Sequence, residues 1–422
     1  MFLVTLSPHG GHRTFAGMTP RTINERVEAY NAGRDPARLA RKYNAMRTDP
    51  FVFFRGTAHL FWEDWAREAR ALADAPLAWA CGDLHLENFG SFRGDNGLVY
   101  FDLNDFDEAA LAPATADVGR LLTRTHLAAR SRQLAGVDAT QRCDVFLDAY
   151  LAALIDGKAR WVERSIATGM VRDLLRNAQN RRRKDLLRAR TAIVRGRRRL
   201  RIDGQRFEAL PREERGHVTE CIHEFAESPR GASTDPRAFQ VLDIARRIAG
   251  TGSLGVRRYV VLTRGDGSVH GQLLLDLKQA GTSSLAANLK VPQPRWRNPA
   301  DRVVRIQHHM QAVSAALLAA VSMNGAHFVL RELQPTEDRL ALDGWNGKVS
   351  RLRKVLATMG HLTAWSQLRS ASRQGTAGID ALIAFGHAGA LRRRALTYAR
   401  DYAATAERDW REFSAVQGTP AR

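Results

Sequence analysis

Residues 81–90 read CGDLHLENFG and bring Asp83, His85, Glu87 and Asn88 within six positions. A second polar segment, YFDLNDFDEA, runs from Tyr100 to Ala109 and carries Asp102 and Asp105. A third, DVGRLL, starts at Asp117. Phosphoryl transfer asks for such an inventory. One carboxylate orients or deprotonates the attacking hydroxyl, an amide oxygen helps hold Mg2+, and a second carboxylate binds the metal that bridges the phosphates. Asp83 suits the first role and Asn88, five residues on, the second. Asp102 and Asp105 follow Asn88 by fourteen and seventeen residues, room for a loop, a turn and a short strand that returns a carboxylate to the first one. G-D-x-H alone is as readily an ordinary loop; the three segments together are far more specific. His85 is read either as part of the catalytic site or as a packed histidine with satisfied hydrogen bonds.

A nucleotide also needs a Gly-rich loop over its phosphates and a lysine on a strand. The roughly 80 residues before Asp83 are mostly helical in pattern and offer neither. Both occur downstream. GTGSLGVRRYVVL holds Gly250, Gly252 and Gly255, with Ser253 among them, in G-x-G-x-x-G spacing before an apolar strand. A dinucleotide fingerprint needs a strand before and a helix after, so that reading fails on context. Lys278, in LLLDLKQA, stands twenty-three residues beyond Gly255. On an apolar strand it calls for an anionic partner, the alternative being a strand-end lysine that reaches solvent. A helix and two strands follow, which is the order of a kinase nucleotide lobe.

The first three segments resemble the catalytic and metal loops of aminoglycoside phosphotransferases and other protein-kinase-like proteins, with Cys81 where that pattern has His. The resemblance implies Asp83 as catalytic base with His85 supporting it, Asn88 and Asp105 as Mg2+ ligands, Asp102 as the second choice for the metal, and Asp117 as acceptor of loop N–H groups. Together with FVFFRGTAHLFWEDW and LLDLKQA, the motifs resemble the bacterial domain-of-unknown-function 2252 family, grouped with kinase-like folds, over about residues 40–400. Gln367 stands where that family's late helix is expected to carry His. The helix after Lys278 has no Glu for the usual ion pair; Arg305 lies near that place, and Gln307 or Gln311 are polar substitutes. The implied ligands are ATP or another nucleoside triphosphate, Mg2+ and a small-molecule acceptor with a hydroxyl group. Nucleotidyl transfer, or a catalytically degenerate nucleotide-binding protein, is the alternative. Arg55, in FFRG, is read as a substrate or phosphate contact, or as the partner of a carboxylate such as Asp64.

Helical spacing covers 20–48, 57–76, about 114–180, 301–321 and 349–413. Strands are expected at 97–106, on both sides of RGDGS within 257–280, and around 327–342. The fold class is therefore α+β. It reads as a two-lobe kinase-like fold, circularly permuted: a helical catalytic lobe over 1–235, a β-rich nucleotide lobe over 236–345, and helices over 346–422 that pack back on the first.

The net charge is +20, from 64 Lys and Arg against 44 Asp and Glu. RRRKDLLRARTAIVRGRRRLR, residues 181–201, holds eleven basic residues and one acid. Its leucines and Ile193 suggest an amphipathic helix with a basic face, and it lacks aromatic stacking residues, so nucleic acid is a possible partner but not the favoured one. Apolar content of 44% supports a core. No membrane span and no signal peptide are expected, and three scattered cysteines form no disulfide or zinc pattern, which suits a cytoplasmic protein.

Overall fold

The computed structural model describes residues 22–130, 138–232, 235, 237–248, 254–268, 270–334, 339–340, 345 and 347–416. It is α+β, with long helices and small antiparallel sheets. Twelve strands occur among these residues: β1 (Leu77–Ala80), β2 (Phe89–Arg93), β3 (Val99–Leu103), β4 (Ala110–Pro113), β5 (Thr191–Val194), β6 (Arg197–Leu200), β7 (Phe207–Glu208), β8 (Val241–Arg247), β9 (Arg258–Thr263), β10 (Leu273–Gln279), β11 (Ala319–Met323) and β12 (Ala326–Glu332). β1 pairs with β4, β2 with β3, and β5 with β6, while the remaining six form one sheet in the order β11-β12-β10-β9-β8-β7.

The helical half surrounds the β1–β4 segment. Helices 58–68, 115–130, 139–156, 349–369 and 390–415 share one large apolar cluster with Trp79, Phe89 and Phe101. Late helices pack on early ones. Helix 349–369 lies against 139–156 closely enough that a Cβ at Gly360 would stand 2.3 Å from the Phe146 carbonyl oxygen. Gln367, the departure from the expected His, is buried; it donates to Ala114 O and accepts the Tyr150 hydroxyl.

Period-two alternation sends successive side chains to opposite faces of the six-stranded sheet, and apolar residues pack on both. Tyr259, Val261, Leu275 and Leu277 pack with Val218, Ile222 and Phe225 of helix 212–227. Val260, Leu262 and Leu274 face the other way, onto Leu187 and Leu200. Helix 212–227 and β7 precede residue 236, so the sheet layer begins earlier in the chain than the sequence boundary suggests.

Two expected helices break into hairpins. Only residues 183–190 of the basic 181–201 run are helical; β5 and β6 follow, joined by Arg195 and Gly196, both left-handed (φ 49° and 72°). The 301–321 stretch is helical only over 299–310, and β11 turns into β12 through Asn324 and Gly325 (φ 46° and 70°). In each case a two-residue turn with positive φ at both positions matches strand twist and overrides a helix-compatible composition. No helix among the described residues is long and apolar enough to cross a membrane.

Candidate active site

The chain leaves β1 through Cys81 and Gly82. Gly82 is left-handed (φ 81°), and a Cβ there would lie 2.1 Å from the Glu108 carbonyl oxygen, so the turn admits only glycine. Asp117, in the first turn of helix 115–130, accepts the N–H groups of Cys81 (2.8 Å) and Gly82 (3.0 Å). Trp62 Nε1 donates to Gly82 O at 2.9 Å, and Asn88 Nδ2 donates to Asp83 O at 2.6 Å. Arg120, almost one turn beyond Asp117, donates to Asp83 Oδ1 (2.7 Å) and Phe54 O (3.0 Å). Its guanidinium stacks 4.2 Å from the Phe54 ring centre. The turn is therefore held through its backbone at three successive residues and through the Asp83 carboxylate.

Electrostatics follow from this packing. Burial pushes the Asp117 carboxyl up to about 6, against the pull of the two N–H groups it accepts. Burial, helped by Arg124, Arg55, Arg120 and Arg339, drives His85 well below its usual value. His85 Nδ1 accepts the Glu87 N–H at 3.2 Å, so the neutral ring carries its proton on Nε2. Cys81 is buried and its thiol is pushed far up by burial and by Asp117, which leaves it a support and no nucleophile.

The facing wall is the end of the large sheet. Asp276 lies opposite Arg331, and Lys278 lies opposite Arg258, so all four share one face of the sheet. Asp276 is buried between Arg258 (2.8 Å), Arg247 (2.9 Å) and Arg331 (4.0 Å). Burial disfavours its charge, but the arginines outweigh that and hold its carboxyl far below the usual range. Lys278 Nζ forms an ion pair with Asp107 and lies 3.6 Å from Asp105 Oδ1. Burial again opposes ionisation of Asp105, yet Lys278, Arg331 and Arg339 bring it down to about 2. Its neighbour Asp107 is raised, by burial and by the charge of Asp105.

The two walls enclose one cavity of about 340 Å3, lined by Asp83, His85, Asp105, Lys278, Gly255 and Arg55 among others. Six residues singled out in the sequence thus meet there, and others do not. Gly250, Gly252 and Ser253 lie outside the described residues. Gly255 is left-handed (φ 91°) and sits on Arg34. Asn88 is buried and does not line the cavity; its amide closes the turn onto Asp83 O. Asp102 is also absent from the wall. It is buried against the N–H groups of Leu103 (2.8 Å) and Ala312 (3.3 Å). Asp105 and Asp107 take its place beside the lysine. Gln307 and Gln311 bond each other, and Gln311 donates to Leu103 O, so neither partners Lys278. From the same helix Arg302 instead donates to the carbonyls of Asp107, Ala109 and Gly281. Arg55 pairs with Glu87 (2.5 Å), whereas Asp64 is taken by Arg26 and Tyr402.

Sequence reasoning missed Asp107, Arg120, Arg124, Asp276, Arg258 and Arg331. The alternation in LLLDLKQA puts Asp276 and Lys278 on one face, a signal that was available. Asp107 stands two residues beyond Asp105 in the same acidic strip.

Mg2+ takes oxygen ligands and completes its shell with water and phosphate, so one or two carboxylates suffice. Asp105 and Asp107 offer that donor set. Asn104 Oδ1, in the adjoining wall residue, is buried without a hydrogen-bond partner. Among the described residues no three His, Cys, Asp or Glu side chains gather as a metal site.

Residues 34–416 match the family described as "Uncharacterized protein conserved in bacteria (DUF2252)", and the chain belongs to it. Neither the curated proteins nor the solved structures contain a match.

Proposed function

We propose that this member of the family is an Mg2+- and ATP-dependent phosphotransferase acting on a hydroxyl of a small molecule. The observation that carries the reading is the ion pairing of Lys278 with the Asp105–Asp107 strip in the cavity that also holds Asp83. We read the fold as kinase-like and permuted. In support, β8 and β9 flank the 249–253 segment, β10 carries Lys278, and helix 299–310 precedes β11 and β12. The lysine's partner differs from the usual one: it is Asp107 on the metal loop, and the helix contributes Arg302 to that same loop.

In the reaction the acceptor oxygen forms a bond to the γ-phosphorus. The bond from that phosphorus to the β,γ-bridging oxygen breaks, ADP leaves with the electron pair, and the hydroxyl proton passes to Asp83. Arg120 fixes Asp83 Oδ1, so the carboxylate acts chiefly by orienting the hydroxyl, which a loose transition state tolerates. Lys278, Arg258 and Arg331 face the phosphates as a preorganised cationic wall. Asp105 and Asp107 would hold Mg2+, which when bound would neutralise phosphate charge. Asp83→Asn is expected to lower transfer of γ-labelled phosphate by about 10^2–10^4-fold while MgATP still binds. Normal turnover by that variant overturns the assignment. Nucleotidyl transfer would use the same groups, and label moving from the α-phosphate instead would establish it.

A further inference from the structure

The cavity wall carries seven cationic and four acidic side chains, an imbalance that constrains the acceptor. On the sheet side four cations, Lys278, Arg258, Arg331 and Arg247, meet three carboxylates, Asp105, Asp107 and Asp276. On the side of the 85–90 segment the deficit is larger. Glu87 accepts both Arg55 (2.5 Å) and Arg124 (3.5 Å) on one oxygen. Arg124 is fully buried, and its Nε and Nη1 have no hydrogen-bond partner. Burial, together with Arg55, pushes its guanidinium down to about 9. Arg339, whose backbone bridges to Gly90, lines the same wall and makes no ion pair among the described residues. His85 adds a neutral Nε2–H donor. Three guanidiniums and one donor thus surround a single carboxylate, next to Asp83.

Unbalanced charge with unsatisfied donors is costly at partly buried positions, and an oxyanion relieves both. Guanidinium forks match phosphate and carboxylate groups in geometry as well as charge. A polycationic acceptor, of the kind aminoglycoside phosphotransferases modify, meets repulsion here.

We propose that the acceptor is a small hydroxyl compound bearing a phosphate or carboxylate group, and that Arg55 and Arg339 bind this oxyanion beside Asp83. Arg124 acts through Glu87 and is a positioning residue. The identity of the hydroxyl's fate rests on the phosphotransferase reading, but the oxyanion site does not.

Calorimetric titration of the full chain separates the two. The probes are glucose 6-phosphate, gluconate, glucose and glucosamine, with inorganic phosphate as a probe free of shape demands, each with and without Mg2+ and a non-hydrolysable ATP analogue. We expect inorganic phosphate and at least one of the two anionic sugars to bind, with glucose and glucosamine at least about tenfold weaker. Which anionic sugar binds tells a phosphate site from a carboxylate site. Arg339 is only half-buried and has no ion pair among the described residues, so Arg339→Gln is expected to fold, which its thermal unfolding checks. It should weaken anion binding about tenfold or more and leave affinity for the ATP analogue within about twofold, with Arg55→Gln behaving alike. Equal binding of glucose or glucosamine, absence of any anion binding, or anion binding unaffected by both variants overturns the proposal. Failure of the ATP analogue alone overturns the phosphotransferase reading and leaves the oxyanion site standing.

Discussion

The two walls of the cavity are built on different principles. The 81–88 turn is fixed by short-range backbone contacts: Asp117 holds two N–H groups, Trp62 and Asn88 hold two carbonyls, and Gly82 touches Glu108. The sheet wall is joined to it mainly by side-chain charge, Lys278 to Asp107 and Asp105, and Arg302 to loop carbonyls. The first arrangement admits one geometry. The second rests on Lys278 paired with two half-exposed carboxylates, which on the proposed reading phosphates and a cation would replace. If the proposed transfer holds, the rigid wall would position the hydroxyl and the adaptable wall would receive the nucleotide.

Glycine substitutions probe that contrast with the largest expected effect. Gly82→Ala forces a Cβ into a backbone oxygen at a left-handed position and should cost about 2–4 kcal/mol in denaturant unfolding. Gly255→Ala is also left-handed, but its Cβ would meet only the Arg34 side chain, at 3.0 Å, so about 1 kcal/mol is expected. Equal costs would mean that the first wall is no more rigid than the second.

A pH profile addresses the rigid wall through Asp117. Asp117 has its carboxyl raised to about 6 in the folded chain, so the folded state takes up this proton at a higher pH than the unfolded one does. As pH falls from about 6 toward 4 the group therefore favours the fold, while the protonated carboxyl is a weaker acceptor for Cys81 and Gly82 N–H. Activity should fall below about pH 6 without loss of thermal stability, and Asp117→Asn should remove that limb. His85 adds no limb near 6.5, because burial and the neighbouring arginines keep it neutral. The smallest effect belongs to Asp102→Asn. Since Asp102 lies off the cavity, transfer should change by less than about twofold, against a loss of about tenfold or more for Asp105→Asn.

The rigid wall was largely legible in the sequence because it is local. Asp83, His85 and Asn88 sit in one turn, and Asp117 follows at a spacing a strand pair and a helix start can span. What escaped depends on three-dimensional pairing. No pattern near Asp107 says that a lysine far along the chain will meet it, and Arg120 and Arg124 look like ordinary helix residues until their partners Asp83 and Glu87 are in place. Asp102 and Asp105 could not be separated by chemistry, since only strand direction puts one in the cavity and the other against Leu103 and Ala312. The hairpins failed for a different reason. Asn324–Gly325 is a strong two-residue turn signal, but the alanine-rich run before it reads equally well as helix.

The central claim is that Lys278 and Asp83 face one nucleotide-bearing cavity with separable roles. Titration of MgATP into the wild type, Lys278→Met and Asp83→Asn tests it directly. Lys278→Met should bind MgATP at least about tenfold more weakly while losing no more than about 1 kcal/mol of stability, because both partner carboxylates are more than a third exposed, Asp105 at 43% and Asp107 at 35%. Asp83→Asn should bind MgATP as the wild type does. Wild-type protein that fails to bind MgATP, or a Lys278→Met variant that binds it unchanged, would contradict the account.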